Sequence, residues 1–315
     1  MKRREGVLGR RSLAGFGNVI LVLCLFAHGQ EGSLLPSDPI VDARRYYNNH
    51  QLERAEIILR EFLLSNPSSA DALYLLGHVL ESANQPKKSL EIFNKAATIA
   101  KPSGEDLRIA ALDYVLLGDY RSSQQWLGRS LELDSNNGEA WYDLARTKMM
   151  LGDYIGAEGA MRRALALKPK MVKAENNLGL ILEAQNRTAE AAEAYRLAVE
   201  WQRSDPHPSE QPLLNYGTLL IDQQKSSEAI PLLEQAIAIA PKDVKGHEQL
   251  ARALDRQGKQ ASAIEQMQAA ILLDPRNPRL HYQLGRMYRR VGNDKRAKEE
   301  MAVSQSLYGT TASEP

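Results

Sequence analysis

The sequence predicts an all-α chain, an α-solenoid of about eight paired-helix repeats, and three observations carry that prediction. The first is a period of 34 residues: blocks of one pattern begin at Pro36, Ala70, Gly104, Gly138, Val172, Glu210, Val244 and Pro278. The second is the size of two positions. The eighth residue of each block is Ala43, Gly77, Ala111, Ala145, Gly179, Gly217, Ala251 or Gly285, and the twentieth is Ala55, Ser89, Ser123, Ala157, Ala191, Ala229, Ala263 or Ala297. Gly, Ala and Ser make up roughly a quarter of an ordinary sequence, so an unbroken run of them marks places where two helices cross too closely for a larger side chain. The third is a turn residue inside the blocks, Gly118, Gly152, Gly258 and Gly292 with Asn84 and Asn186 in the same place. Both residue types tolerate the left-handed backbone that ends a helix.

The block from Gly138 to Met171 shows the elements most plainly: GEAWYDLARTKMMLGDYIGAEGAMRRALALKPKM. Trp141, Leu144 and Ala145 belong to a first helix, Gly152-Asp153 to the turn, and Ala157, Met161 and Ala164 to a second helix closed by Pro169. Elsewhere the seventh position is usually Leu (Leu76, Leu144, Leu178, Leu250, Leu284), and the twenty-fourth is always large (Leu59, Phe93, Leu127, Met161, Tyr195, Leu233, Met267, Met301). Pro67, Pro169, Pro241 and Pro275 follow second helices, which a proline cannot continue. This order of residues resembles the tetratricopeptide repeat. The resemblance covers residues 36 to 311 and implies a right-handed superhelix whose concave face is lined by the first helix of each repeat.

Taken from the start, residues 1–29 read as a secretory signal. Lys2, Arg3, Arg4, Arg10 and Arg11 precede the apolar run Leu13 to Ala27, and Ala27-His28-Gly29 offers a small-residue cleavage site. The run falls short of the roughly 20 residues that span a bilayer, which leaves an uncleaved membrane anchor as the alternative. Cys24 lies inside this run, so a chain starting at Gln30 has no cysteine and makes no disulfide. The net charge of the whole chain is +1. Without the basic leader the remainder is slightly acidic, and nothing global points to nucleic acid. Residues 30–35 read as a linker and 36–205 as repeats one to five. Pro206-His207-Pro208-Ser209 is an insertion that breaks the period, either a tolerated loop or a joint. Repeats six to eight occupy 210–311, their last helix running from Lys295 to Tyr308, and 312–315 is a tail.

Ligand contacts in tetratricopeptide proteins come mainly from repeat positions 2, 5, 6, 9, 12 and 13, so the resemblance points to those residues here. Position six is apolar at Val41, Leu75 and Ile109, then polar at Asp143, Asn177, Asn215, Gln249 and Gln283. The four amides are expected to form a ladder that hydrogen-bonds an extended peptide. Tyr142 lies beside them, in a half of the groove that is more apolar, with Tyr74, Leu112, Val115, Leu116, Met149 and Met150. Towards the C-terminus the inner positions turn basic, at Lys245, Arg252, Arg256, Arg279, Arg286, Arg289 and Arg290, which suits an acidic segment or a free carboxylate.

Catalytic constellations are missing: there is no G-x-S-x-G, no phosphate-binding G-x-x-x-x-G-K-[ST] and no H-E-x-x-H. His247 and His281 share position four one repeat apart, but without a thiolate or third ligand they read as structural. The sequence therefore predicts a non-catalytic protein without cofactor or metal. It would hold a protein or extended peptide in its groove and assemble an envelope complex in the bacterial periplasm. Self-association into a structural layer is the alternative from a different class.

Overall fold

The computed structural model describes residues 38–311, with side chains described as far as Tyr308. The expected leader at 1–29, linker at 30–35 and tail at 312–315 lie outside the described residues. Among those described, sixteen α-helices follow one another in eight pairs and there is no strand. The first four pairs are α1 (Pro39–Asn48) with α2 (Leu52–Ser65), α3 (Ala70–Ser82) with α4 (Pro86–Ala97), α5 (Gly104–Leu116) with α6 (Tyr120–Leu133), and α7 (Gly138–Met150) with α8 (Tyr154–Leu167). The others are α9 (Val172–Ala184) with α10 (Thr188–Trp201), α11 (Gln211–Asp222) with α12 (Ser226–Ile239), α13 (Val244–Arg256) with α14 (Gln260–Leu273), and α15 (Pro278–Arg290) with α16 (Asp294–Thr311). The last helix continues three residues past the Tyr308 end expected for it.

Local chemistry sets these boundaries. The residue in the turn of every pair has a positive φ: His50, Asn84, Gly118, Gly152, Asn186, Gln224, Gly258 and Gly292, between 54° and 77°. In the third pair the Gly118 N–H reaches the Val115 carbonyl and the Asp119 N–H the Tyr114 carbonyl, which closes the end of α5. Several helix starts are capped by side chains. Ser103 and Asp106 form a reciprocal capping box on α5, and Asp153 accepts from the Gly156 N–H on α8 at 2.9 Å.

Packing within a pair follows the eighth, twentieth and twenty-fourth positions. Ala55, Leu59, Ala157, Met161, Ala191 and Tyr195 have no exposed surface. A Cβ on Gly179 would stand 2.3 Å from the Tyr195 ring, and one on Gly77 2.9 Å from Phe93. Both aromatic twenty-fourth residues thus face glycine, as do Leu233 and Met301, which would stand 2.8 and 2.9 Å from a Cβ on Gly217 and Gly285, whereas Leu127 and Met161 face Ala111 and Ala145. Where the twentieth residue is serine its hydroxyl is satisfied, Ser89 donating to the Gly77 carbonyl at 2.9 Å.

Between pairs, the second helix of one repeat packs on the first helix of the next. From α1 to α13 each first helix also touches the first helix that follows, and no two second helices come as close. The first helices therefore form one tightly spaced wall. The insertion at 206–209 does not interrupt it. A short 3-10 turn at Gln202–Ser204 follows α10, and the buried Gln202 amide donates to the Ser209 carbonyl at 2.9 Å and accepts from the Ser209 N–H at 3.1 Å. Among the described residues the chain from Pro39 to Thr311 is one compact unit, undivided at this point.

Candidate partner-binding wall

From the third repeat onward, successive first helices are joined by side-chain rungs that link position five of one repeat to position six of the next. The Arg108 guanidinium donates to Asp143 at 2.6 Å. The Asn177 amide donates to the Tyr142 hydroxyl at 3.1 Å, Asn215 to Asn176 at 3.0 Å, and Gln283 to Glu248 at 2.9 Å. The rung is missing after repeat six, whose fifth residue is Leu214. Gln249 there accepts from Arg252 of its own helix at 2.6 Å. Burial pushes the Asp143 carboxyl above the usual carboxylate range, and the Arg108 charge opposes that rise without cancelling it.

This geometry corrects the expectation of an open amide ladder. Asn215 and Gln249 are buried, at 8% and 5% exposed, and Asn177 and Gln283 each give their amide N–H to the neighbouring repeat. The reason is the small offset between stacked first helices, which brings a fifth residue against the sixth residue of the next repeat. Two polar groups that meet there bond to one another before they bond to anything in the groove. Asn176 and Glu248 are the rung partners that sequence reasoning missed. The available signal was a polar fifth residue followed 35 positions later by a polar sixth, as in Tyr142 and Asn177.

The basic end is likewise more neutralised than expected. Arg279 pairs with Glu248 and Arg290 with Asp255, both at 2.6 Å, and Arg252 reaches Asp222 at 3.3 Å. Arg256 donates to the Ile221 carbonyl and Arg289 to the Met301 sulfur. Arg286 is exposed and has no hydrogen bond or ion pair among the described residues. With Arg252, Arg256 and Arg290 it lines a cleft of about 290 Å³, into which Asp255 and Gln283 also contribute. One oxygen of each of these two is buried without a hydrogen bond.

Two further clefts open on the wall. One, of about 320 Å³, is lined by Leu112, Val115, Tyr120, Met149 and Met150, with Asp143, Arg146, Thr147 and Asn177 at its edge. The other, of about 330 Å³, lies between Tyr142, Val172, Lys173, Asn176 and Asn177 on one side and the insertion, from Gln202 to Pro212, on the other. Tyr142 is held between two cations, Arg146 at 5.7 Å and Lys173 at 4.6 Å from its ring centre. Tyr74, expected in the apolar half of the groove, is buried in the core, its hydroxyl donating to the Ala100 carbonyl.

Both histidines at position four serve the fold. Nε2 of His247 lies 3.0 Å from the Pro241 carbonyl, and Nε2 of His281 lies 3.0 Å from that of Pro275. Trp141, at the same position, donates to the Ser135 carbonyl at 2.9 Å. In each case a ring nitrogen ties the first helix to the connection six residues earlier. The other ring nitrogens face Gln266 and Glu300, so neither histidine is left over for a ligand.

Comparison with known proteins agrees with this architecture. Tetratricopeptide repeat family models match residues 42–105 and 220–281, and that of the cilia and flagella-associated protein 70 middle TPR-like domain matches 107–212. The human protein O-mannosyl-transferase TMTC3 is 24% identical over 61% of this chain, and the match spans only 17% of the transferase. PilW, a type IV pilus biogenesis factor, superposes with a TM-score of 0.59 at 24% identity, covering 65% of this chain and 94% of PilW. YrrB, described as a TPR protein with an unusual peptide-binding site, does so with a TM-score of 0.50 at 18% identity, covering 57% of this chain and 91% of YrrB. At these identities the structural likeness speaks for the fold alone. Repeat period, helix pairs and the three matched stretches make this chain a tetratricopeptide-type repeat protein.

Proposed function

We propose that the chain is a non-catalytic scaffold that holds a peptide or protein partner against its wall of first helices, within a complex of the bacterial envelope. The observation that carries this reading is the trio of clefts, of about 290, 320 and 330 Å³, all opening on that one wall. The peptide-binding description of YrrB, which shares the fold, supports it. Export rests on the basic and apolar segment at 1–29, with cleavage before Gln30. N-terminal sequencing of the protein isolated from cells should begin at Gln30, and a start at Met1 would replace cleavage with anchoring.

The partner is tested by affinity capture from an envelope extract on the 30–315 chain, beside M150Q and R286A. These two exposed residues alter a cleft without touching a rung, which substitution of Asn177, Asn215, Gln249 and Gln283 would not achieve. A protein retained by the parent chain and lost from either variant supports the scaffold. Identical captures on all three chains argue against it.

Self-association is the second reading, and Leu64, Ile155 and Leu272, 85%, 82% and 83% exposed on second helices of three separate repeats, are the apolar contact points it would use. Light scattering over a range of concentrations separates the two readings, because only self-association makes the mass grow without a partner.

A further inference from the structure

The four-residue insertion builds one wall of a groove that continues into the apolar cleft, and we infer that this groove binds an extended, uncharged peptide segment carrying one large apolar side chain. The inference rests on the scaffold reading above and assigns it a place and a ligand chemistry. Its first support is that the insertion is held in position. Gln202, only 4% exposed, pairs with both backbone groups of Ser209, as a strand partner would. Asp205 accepts from the His207 N–H at 2.8 Å and Ser209 Oγ from the Gln211 N–H at 3.2 Å, so the segment is shaped at both ends.

Asn177 lines both the insertion cleft and the apolar cleft, so the two adjoin at this residue. Its amide N–H is engaged by Tyr142, while its carbonyl oxygen accepts no hydrogen bond from the described residues and is not buried. The His207 ring has no partner among those residues either, and the Ser209 hydroxyl, which accepts one bond, donates none. The polar end thus offers acceptors and donors suited to the N–H and C=O groups of a peptide backbone. At the other end Leu112, Val115, Met149 and Met150 form an adaptable apolar receptacle.

Charge complementarity fixes the character of the segment. Lys173 shares the Glu139 carboxylate with Lys168, both at 2.9 Å, and Arg108 pairs with Glu105 and Asp143. The two lining charges without an ion pair among the described residues, Arg146 in the apolar cleft and Asp205 in the insertion cleft, are opposite in sign. The charges along this part of the wall therefore sum to about zero, in contrast to the cleft beside Arg286, where four arginines face one aspartate. A neutral segment loses least by leaving water for such a surface.

The test uses a displayed library of random twelve-residue peptides selected on the full chain. The selected peptides are then titrated against the parent chain, M150Q, H207A/Q211A, R286A and a variant lacking residues 206 to 209. That deletion restores the regular 34-residue spacing, and the H207A/Q211A pair probes the same wall should the shortened chain lose helix content. The expected peptides share a large apolar residue and carry little net charge. Their affinity should fall about tenfold in M150Q and in the insertion variants, roughly the effect of one lost anchor contact, and stay unchanged in R286A. Peptides that bind the parent chain but ignore M150Q and both insertion variants overturn this site and leave the scaffold reading standing. Failure to enrich any peptide overturns the inference and also removes the peptide form of the scaffold reading.

Discussion

Asp113 lies in α5 with no exposed surface, and neither of its carboxylate oxygens has a hydrogen-bond partner. Burial pushes its pKa up to about 7, and the neighbouring Glu81 carboxylate adds to the rise. An acid whose folded pKa exceeds its unfolded value, near 4, favours the folded state only while it stays protonated. Stability is therefore fully present below about pH 4, falls as pH rises to about 7 and then levels off, by at most about 1.4 kcal/mol per pH unit. Asp113→Asn should flatten this slope, and melting curves of both chains at pH 5, 6, 7 and 8 check it; parallel curves would show that Asp113 is ionised throughout. Gln224 poses a separate strain. With φ at 64° it occupies a left-handed turn position that four other repeats fill with glycine. Gln224→Gly should stabilise the chain by about 1 kcal/mol, measured by urea unfolding. An unchanged midpoint would mean that the entropy glycine adds to the unfolded chain cancels the relief of strain.

At the level of the helix, the rungs explain how neighbouring repeats keep their register. Asn176 and Asn215 are both buried and bond across the insertion, so losing either leaves the other's polar groups unsatisfied. Asn215→Ala should cost about 1–3 kcal/mol, and Asn176→Ala a similar amount. The double substitution should cost less than the sum, because the second removal leaves no orphan behind. A double-mutant cycle by urea denaturation reads this coupling, and strict additivity would show that the two amides do not stabilise one another. The same reasoning explains why the insertion is tolerated. α11 packs on both α9 and α10, and the rung holds, while the extra residues stay in the connection.

For the whole molecule, a linear array places its weakest helices at its ends. α1 buries only Ala43, whereas α3 buries eight residues. Amide hydrogen exchange should therefore release α1 well before α3 and the central helices. Uniform exchange from α1 to α15 would instead mean that the array opens as one cooperative unit. The sequence by itself determined the repeat period, the small residues at helix crossings and six of the eight turns, those of the first and sixth pairs being filled by His50 and Gln224. These are local or strictly periodic features, since a left-handed turn or a close crossing admits few residue types. Its account of the groove was partial. Met149, Met150 and Arg286 do line clefts, but three of the four amides and most of the arginines are engaged by neighbouring repeats, and Gln249 by its own helix. Only the tertiary structure decided this, because the stagger between stacked helices selects which polar groups meet, and a solvated amide and a bonded one look alike in a sequence. Packing likewise gave the proline-rich break its role as a connection fastened to the end of the preceding helix. That role depends on Gln202 folding back onto Ser209, a contact that no periodicity encodes.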